Sequence, residues 1–482
     1  MRGARSFLSA MLITLCSPPH LCGAAEQRDR PVLTLGQAVS EALQRNDRMI
    51  NEHDTVEQAN LGVRLAENNF RPKVVPNIQG SFGQSDARNQ NYRLDVLQRF
   101  TTGSEARASF GTSTALIPSV TGLPGQDINF YNADTAITFS QPLLKGFGPS
   151  VARRSLTSAE GRRIDATLER TIVEQGVAVD TAAAYYRIVA QQALVAVART
   201  TVERSRRLRA SAEAKLDAGL VSQLDVFRAE QLVSQAEIQL FDAESAVEDA
   251  RDQLCFLIGR SSDEVFDVVG DIPKAVDLIA TDEAARIAVD RRLDLKRSAV
   301  AVDEAERAIS YTRNQLLPQF DVNFSLTRSQ TADSFRSSFG TDGFKFATFL
   351  AVSMPLDRTP MLVDHYNAVI ERDRRRREGE TLRRRVVDEV KRAIRQRDRA
   401  VRNLAAAEAS VAISRKEVEV AQLRYERGLS NNLDVVTAEA GLLSIESRRV
   451  STAADLAVVQ LALRAAMGIL DPQKDLVGSP TP

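Results

Sequence analysis

Apolar positions recur at helical spacing from Leu35 through Ala38, Val39, Ala42 and Leu43 to about Phe70, behind a cap at Thr34, and Pro72 ends the run. From Val74 the period drops to two. Val74, Pro76, Ile78, Gly80 and Phe82 share one face, with Val75, Asn77, Gln79 and Ser81 on the other, which predicts a strand with an apolar and a largely polar side. Residues 83–129 are polar and rich in Gly and Ser without a sustained period, and read as a long loop with room for some further strand. Alternation returns with Ala133, Thr135, Ile137 and Phe139 and stops at Pro142. It recurs in Phe320, Val322, Phe324 and Leu326, and in a partner strand carrying Phe344, Phe346, Thr348, Leu350, Val352 and Met354. The pattern predicts four strands in two hairpins, at 74–142 and 319–355.

Helices of unusual length follow each hairpin. No proline interrupts 150–218, where Ile172, Gly176, Val179, Ala183, Tyr186, Ala190, Ala193 and Val197 step by four and three residues, the spacing of a coiled-coil seam. Similar seams are Leu404, Ala407, Val411, Ser414, Val418, Ala421 and Tyr425, and then Val436, Ala440, Leu443, Ser447, Val450, Ala454, Ala457 and Leu461. About 70 residues at roughly 1.5 Å each make a rod on the order of 100 Å, far longer than a compact domain needs.

This order is written twice. Gly219-Leu220, Leu224-Asp225-Val226 and Ala229-Glu230 return as Gly428-Leu429, Leu433-Asp434-Val435 and Ala438-Glu439, and the copies end on Gly259 and Gly468, all at an offset of 209 residues. The preceding segments align at an offset of 246, Ala38 with Ala284, Ala42 with Ala288, Ala59 with Ala305 and Pro72 with Pro318. The chain therefore divides into a leader at 1–25, a lead at 26–34, a first repeat at 35–259 with its helical hairpin at 150–258, and a linker at 260–282. A second repeat at 283–470, with its helical hairpin at 358–468, and a tail at 471–482 complete it.

The leader has the layout of a cleaved export signal: Arg2 and Arg5 precede an apolar stretch at 7–16, and Gly23, Ala24 and Ala25 follow. Cleavage there removes Cys16 and Cys22, leaving Cys255 as a small buried hydrophobe with no disulfide partner. Leu15 is bulky where a lipid-attachment cysteine would need a small neighbour, so no lipid anchor is expected. No other stretch offers about 18 consecutive apolar residues for a membrane helix. The strands, at about ten residues, suit a tilted crossing of a bilayer's hydrocarbon, although a sheet packed on a helix alternates in the same way. Export and the lack of a globular core favour barrel strands. Four strands cannot close a barrel, and an open edge in lipid leaves backbone groups without partners, so several chains must contribute.

The chain has 482 residues, no tryptophan and 5% aromatics, a composition suited to long helices packed side by side. Lys+Arg and Asp+Glu both number 63, so no net field favours nucleic acid or an anionic surface. Arginines at 374–377 and 383–385, ahead of a heptad seam, superficially suggest a basic-region zipper. Glu371, Asp373, Glu378, Glu380, Asp388 and Glu389 interleave with them, which is the pattern of a solvated helix face, and no nucleic-acid partner is expected. His53 and His365 stand far apart without Cys or His at ligand spacing, and no nucleophile or phosphate-loop motif is present. Neither an enzyme nor a metal or cofactor is expected.

The repeated order resembles the TolC-type outer membrane efflux proteins over about 33–470. The resemblance rests on Asn46-Asp47 and Arg292-Leu293-Asp294-Leu295 at short-helix ends, on Ser140-Gln141-Pro142-Leu143 where strand hands over to helix, and on the duplicated Gly-Leu and Leu-Asp-Val turns. It implies a mainly α fold with a small β part, an internally duplicated long-helix α-barrel continued by a transmembrane β-barrel with four strands per protomer and twelve in a homotrimer. The barrel would sit in outer-membrane lipid and the helices in the periplasm, with an equatorial belt near 260–285 and the tail. It implies partners as well, a periplasmic adaptor and an inner-membrane pump of the resistance-nodulation-division or ABC type, for efflux or for type I secretion.

By the same resemblance, Tyr425 falls on a gating tyrosine, Asp434 on an acidic ring at the periplasmic entrance, and Asp225 on an aspartate that helps hold the closed state. Gly219, Leu220, Gly428 and Leu429 correspond to adaptor-docking turns. Ser430 and Thr437 depart from the family's bridging arginine and second acidic ring, so its closing network does not transfer intact. A periplasmic coiled-coil adaptor or scaffold without a pore is the alternative reading of the same helices.

Overall fold

The computed structural model describes residues 31–81, 89–117, 128–264, 266–273, 276, 278–339 and 342–478. The expected leader lies outside them. The Thr34 cap forms: its hydroxyl accepts the Gln37 N–H at 3.3 Å while the Gln37 side chain accepts the Thr34 N–H at 3.0 Å, a reciprocal box opening α1 (Leu35–Arg45). Asn46 then interrupts the helical run. Its Oδ1 caps α2 (Asp47–Asn68) and its Nδ2 donates to Leu257 O at 2.8 Å.

The first repeat continues through β2 (Lys73–Gly80), β3 (Asn89–Arg99), β4 (Glu105–Ile117), β5 (Ile128–Pro142), the short α3 (Pro149–Ala152), α4 (Arg154–Asp217) and α5 (Gln223–Ile258). The second has α6 (Thr281–Arg291), α7 (Leu293–Gln315), β7 (Gln319–Ala332), the short α8 (Phe335–Ser338), β8 (Lys345–Ser353), α9 (Thr359–Glu426) and α10 (Asn432–Ala466). Helix lengths are nearly conserved between copies: 64 and 68 residues in α4 and α9, 36 and 35 in α5 and α10. The duplication thus survives as pseudo-symmetry in the helices.

The strands do not share it. One antiparallel sheet runs β2-β3-β4-β5-β7-β8, so the expected four strands per chain become six, and the segment read as a long loop supplies β3 and β4. Their apolar side is thin, with Tyr92, Leu94 and Val96 in β3 and Ala108, Phe110 and Thr112 in β4. Gly111 and the serines between them hide the period. Helix packing follows strand order, α2 against α4, α4 against α7 and α7 against α9. Among the described residues no helix is long and apolar enough to cross a membrane.

The seam expected in α9 is buried at all seven positions from Leu404 to Tyr425. In α10 the lower seam runs one residue away from the expected Val436, Ala440, Leu443 and Ser447: the buried series is Asn432, Val435, Glu439, Leu442, Glu446 and Val450. Three of those six side chains are polar, which is why a count of apolar residues slides past them. Helix α4 is packed by α1, α2, α5, α7 and α10, and its burial centres on Val177, Ala178, Thr181, Tyr185 and Ile188; of the expected seam Tyr186 and Ala190 are buried, while Ile172, Gly176, Val179, Ala183, Ala193 and Val197 are half-buried.

Where the repeats meet, β1 (Val32–Leu33) pairs in parallel with β6 (Asp267–Val268). Phe266 beside it is 1% exposed, and the Tyr185 hydroxyl donates to Val269 O at 2.8 Å. Arg260 grips Glu41 of α1 through two hydrogen bonds, at 2.7 and 2.5 Å, and a π-helical turn (Gln473–Val477) packs its Leu476 beside Val39. Cys255 is buried in this core.

Gly259 and Gly468 end α5 and α10 in the left-handed region, at φ 70° and 69°. A Cβ on Gly259 would stand 2.9 Å from Arg45 O, and one on Gly468 3.0 Å from Arg292 N, so each repeat seats its last helix directly on the junction of its short helices. Gly219 and Gly428 have the same φ but open space around them. Alanine at the latter pair should cost about 1–2 kcal/mol of left-handed strain alone, and at Gly259 or Gly468 clearly more. Urea unfolding of the four single alanine variants checks this; equal losses at all four would show that the close seating contributes nothing.

Candidate functional site

The far ends of the two helical hairpins form a tip built from two equivalent turns. In the first, α4 ends at Gly219, whose N–H donates to Leu216 O at 2.8 Å, while Leu220 N–H reaches back to Lys215 O at 2.8 Å. In the second, Gly428 N–H donates to Tyr425 O at 3.1 Å and Leu429 N–H to Arg424 O at 2.8 Å. Each pair satisfies carbonyls that the helix end leaves open, and needs the left-handed glycine to do so. Leu220 and Leu429 are then 73% and 74% exposed, two apolar knobs with nothing of this chain to cover them.

Asp225 and Asp434 occupy the same position after their turns, and the structure uses them differently. The Asp225 carboxylate accepts the Ser222 N–H at 3.1 Å and the Ser222 hydroxyl at 2.8 Å, closing the start of α5, and it is 8% exposed. Helix α10 is capped instead by Asn431, whose Oδ1 accepts the Leu433 N–H at 3.2 Å. Asp434 is exposed in the first turn, next to the positive end of the helix dipole.

Tyr425 is buried between the two hairpins, packed with Val418, Ala421, Val435, Ala438 and Leu442. Burial, with the nearby Asp225 carboxylate adding to it, pushes its phenol above the usual range. Lys215 of α4 lies over the ring, 3.7 Å from its centroid, and donates from Nζ to Tyr425 O at 2.5 Å. Asn432, wholly buried, donates from Nδ2 to Asp225 O at 2.7 Å. The first hairpin is thereby joined to the second at two points. Among the expected residues Tyr425 and Asp225 come together, whereas Asp434 stands apart at the surface.

Lys215 and Asn432 escaped the sequence reading, as did the polar seam above them. Glu439 is 2% exposed; it meets Arg204 of α4 at 3.3 Å and accepts the Gln422 side-chain N–H at 3.0 Å. One turn pair further, Glu446 accepts two hydrogen bonds from Arg415, at 3.0 and 2.8 Å. The signal available was the repeat itself, since Glu230 stands in the same Ala-Glu pair as Glu439 yet is exposed. Among the described residues no cluster of His, Cys, Asp and Glu could hold a metal ion, and His365 spends its Nδ1 on the Thr312 hydroxyl at 3.1 Å.

Desolvation pushes the Glu439 carboxyl above its ordinary range, with Arg204 and Gln422 acting against the shift. A carboxyl raised on folding lends its stability in full below the unfolded pKa and loses it as pH rises through the folded value. Replacing Glu439 by Gln removes that loss, so the melting temperature of the variant should gain on the parent as pH rises from about 4 to 8. Thermal melts across that range test it; a parent that gains on the variant would show that the Arg204 pair outweighs burial.

The family model for outer membrane efflux proteins matches residues 38–260 and 285–469, covering both repeats. A curated relative, the fusaric acid resistance protein of Burkholderia cepacia, is 29% identical over 190 residues, 37% of this chain and 33% of that protein. The match therefore spans about a third of the relative's length. Among solved structures, the outer-membrane channel OprN superposes with a TM-score of 0.69 at 17% identity, over 90% of this chain and 89% of its own. The MtrE outer membrane channel of Neisseria gonorrhoeae, in its open state, gives 0.66 at 18% identity, over 90% and 89%. These likenesses extend over both repeats and concern the fold. The duplicated rods, the apolar-faced sheet and the paired glycine turns, with the family model matching both repeats, place the chain in the outer membrane efflux protein family.

Proposed function

We propose that three copies of the chain join edge to edge into a passive conduit, which takes cargo from a periplasmic adaptor and an inner-membrane pump to the cell exterior. The observation that carries this reading is the sheet: it has an apolar face and ends in β2 and β8, neither paired on its outer side among the described residues. Within lipid such edges need strands from another copy. The channel supplies a path and no chemistry; energy conversion belongs to the pump, of the resistance-nodulation-division or ABC type. The partial likeness to a resistance protein supports efflux of small toxic molecules over protein secretion.

In this reading the tip is the periplasmic entrance. Three copies of the exposed Asp434 concentrate negative charge around a narrow aqueous opening and favour cations. Tyr425, Asp225, Lys215 and Asn432 hold the two hairpins of each chain together behind it. Leu220 and Leu429 are the contacts offered to the adaptor, with Gly219 and Gly428 setting their presentation.

Purified, detergent-extracted protein should run as a trimer and pass ions in planar bilayers; a monomer without conductance would sink the reading. Asp434→Ala should lower cation preference, seen as a reversal potential moved toward zero under a salt gradient, and an unmoved potential removes Asp434 from the pore. Replacing Leu220 and Leu429 together by Glu should weaken adaptor capture at least about tenfold, on the scale of losing two apolar anchors, while the trimer stays intact. Undiminished capture would place docking elsewhere.

A further inference from the structure

We propose that the β3–β4 hairpin is a third membrane-crossing hairpin in every chain, so that the outer-membrane barrel has eighteen strands and admits bulkier cargo than a twelve-stranded barrel would. The proposal rests on the three-chain reading for its total. Its structural core is within one chain.

The first ground is the register. Val74, Val96, Ala108, Ile137, Leu326 and Phe346 face one another in sequence across all six strands, an unbroken apolar row. On the other side of the sheet lies Asn77, Arg93, Gly111, Asp134 and Ser329. The added strands, of 11 and 13 residues, therefore keep the same apolar and polar faces as their neighbours and are long enough to cross hydrocarbon. Gly111 is fitted to the polar face: Arg93 reaches across it to Asp134 at 3.4 Å, and a Cβ there would stand 2.6 Å from an Asp134 carboxylate oxygen.

The second ground is the turn that joins β3 to β4. Gly148 N–H donates to Thr102 O at 3.0 Å, and a Cβ on Gly103 would fall 2.4 Å from Gly146 O. On the other side the Gln98 side chain donates to Phe70 O at 2.8 Å. The turn is thus seated between the end of α2 and the start of α3, at the strand-to-helix boundary, as a barrel strand requires.

Single cysteines at Tyr92, Leu94 and Phe110, and at Arg93, Asp95 and Ser109, test the crossing in native outer membranes. The first set should react with a lipid-soluble maleimide and the second with a charged thiosulfonate, alternating residue by residue. Uniform access of both sets to the charged reagent, in a chain that still cross-links as a trimer, overturns the proposal. Loss of the trimer with alternation intact overturns only the three-chain count. A deletion of residues 81–127, with an Asn-Gly turn joining Gly80 to Ile128, returns the chain to four strands. The largest polyethylene glycol that enters from the extracellular side should shrink to about two-thirds in diameter. An unchanged cutoff also overturns the proposal, and if the deletion does not assemble, the alternation decides alone.

Discussion

A β-strand edge in hydrocarbon has nowhere to place its N–H and C=O groups, and that constraint governs the molecule. The sheet ends in β2 and β8, and outward side chains near those ends, Val74, Ile78, Phe346, Leu350 and Val352, are all exposed and apolar. Among the described residues no further strand pairs with those edges, and hydrocarbon offers them no water. In the proposed assembly, closure through further copies would also draw the helices into a ring, since β2, β5, β7 and β8 each adjoin, through a short connection, the packed helices α2, α4, α7 and α9. Barrel and rods are one wall in two kinds of secondary structure.

Duplication supplied the parts, and divergence separated their uses. Asp225 and Asp434 began as one position; the first now closes the start of α5 with Ser222, and the second is freed because Asn431 caps α10. Glu230 and Glu439 diverged in the opposite sense, the first exposed and the second drawn into the contact between hairpins. The β3–β4 hairpin breaks the symmetry more openly, since it lies only in the first repeat. The strongly conserved geometry is at the closing glycines, where the two copies seat on Arg45 and Arg292 in the same way.

Much of this was legible before any coordinates because it depends on local chemistry. The Thr34 box needs only a hydroxyl and Gln37 three residues on, and the α9 seam is apolar at nearly every buried position. The strands beside Pro142 and Pro318 alternate strongly enough to be read directly. Two features were hidden for physical reasons. In β3 and β4 the residues of the apolar face include Ala, Thr and Tyr, and their period is blurred by Gly111 and an ion pair on the other face. In α10 the seam contains Asn432, Glu439 and Glu446, which an apolar pattern excludes by construction. The arginines at 374–377 show the reverse: a conspicuous run in the sequence resolves into surface pairs such as Arg374 with Glu378 and Arg376 with Glu306.

The misread seam explains why the two ends of the rods behave as different materials. Where the repeats meet, Phe266, Tyr185 and the Arg260–Glu41 pair close a core of large side chains, and separating it would expose apolar area at roughly 25 cal/mol per Å². At the tip, beside Leu208 and Val221 packed against the Tyr425 cluster, the contacts joining the hairpins are Lys215 to a carbonyl, Asn432 to a carbonyl, and Glu439 to Arg204. Each of these groups can exchange its partner for water at a net cost of about 1 kcal/mol or a little more. If the tip is the entrance proposed above, exchangeable contacts suit it better than an apolar seam, whose opening has no replacement partner. In the proposed reading, the polar residues at core positions of α10 suit the tip to a gate and leave the apolar far end as a strut.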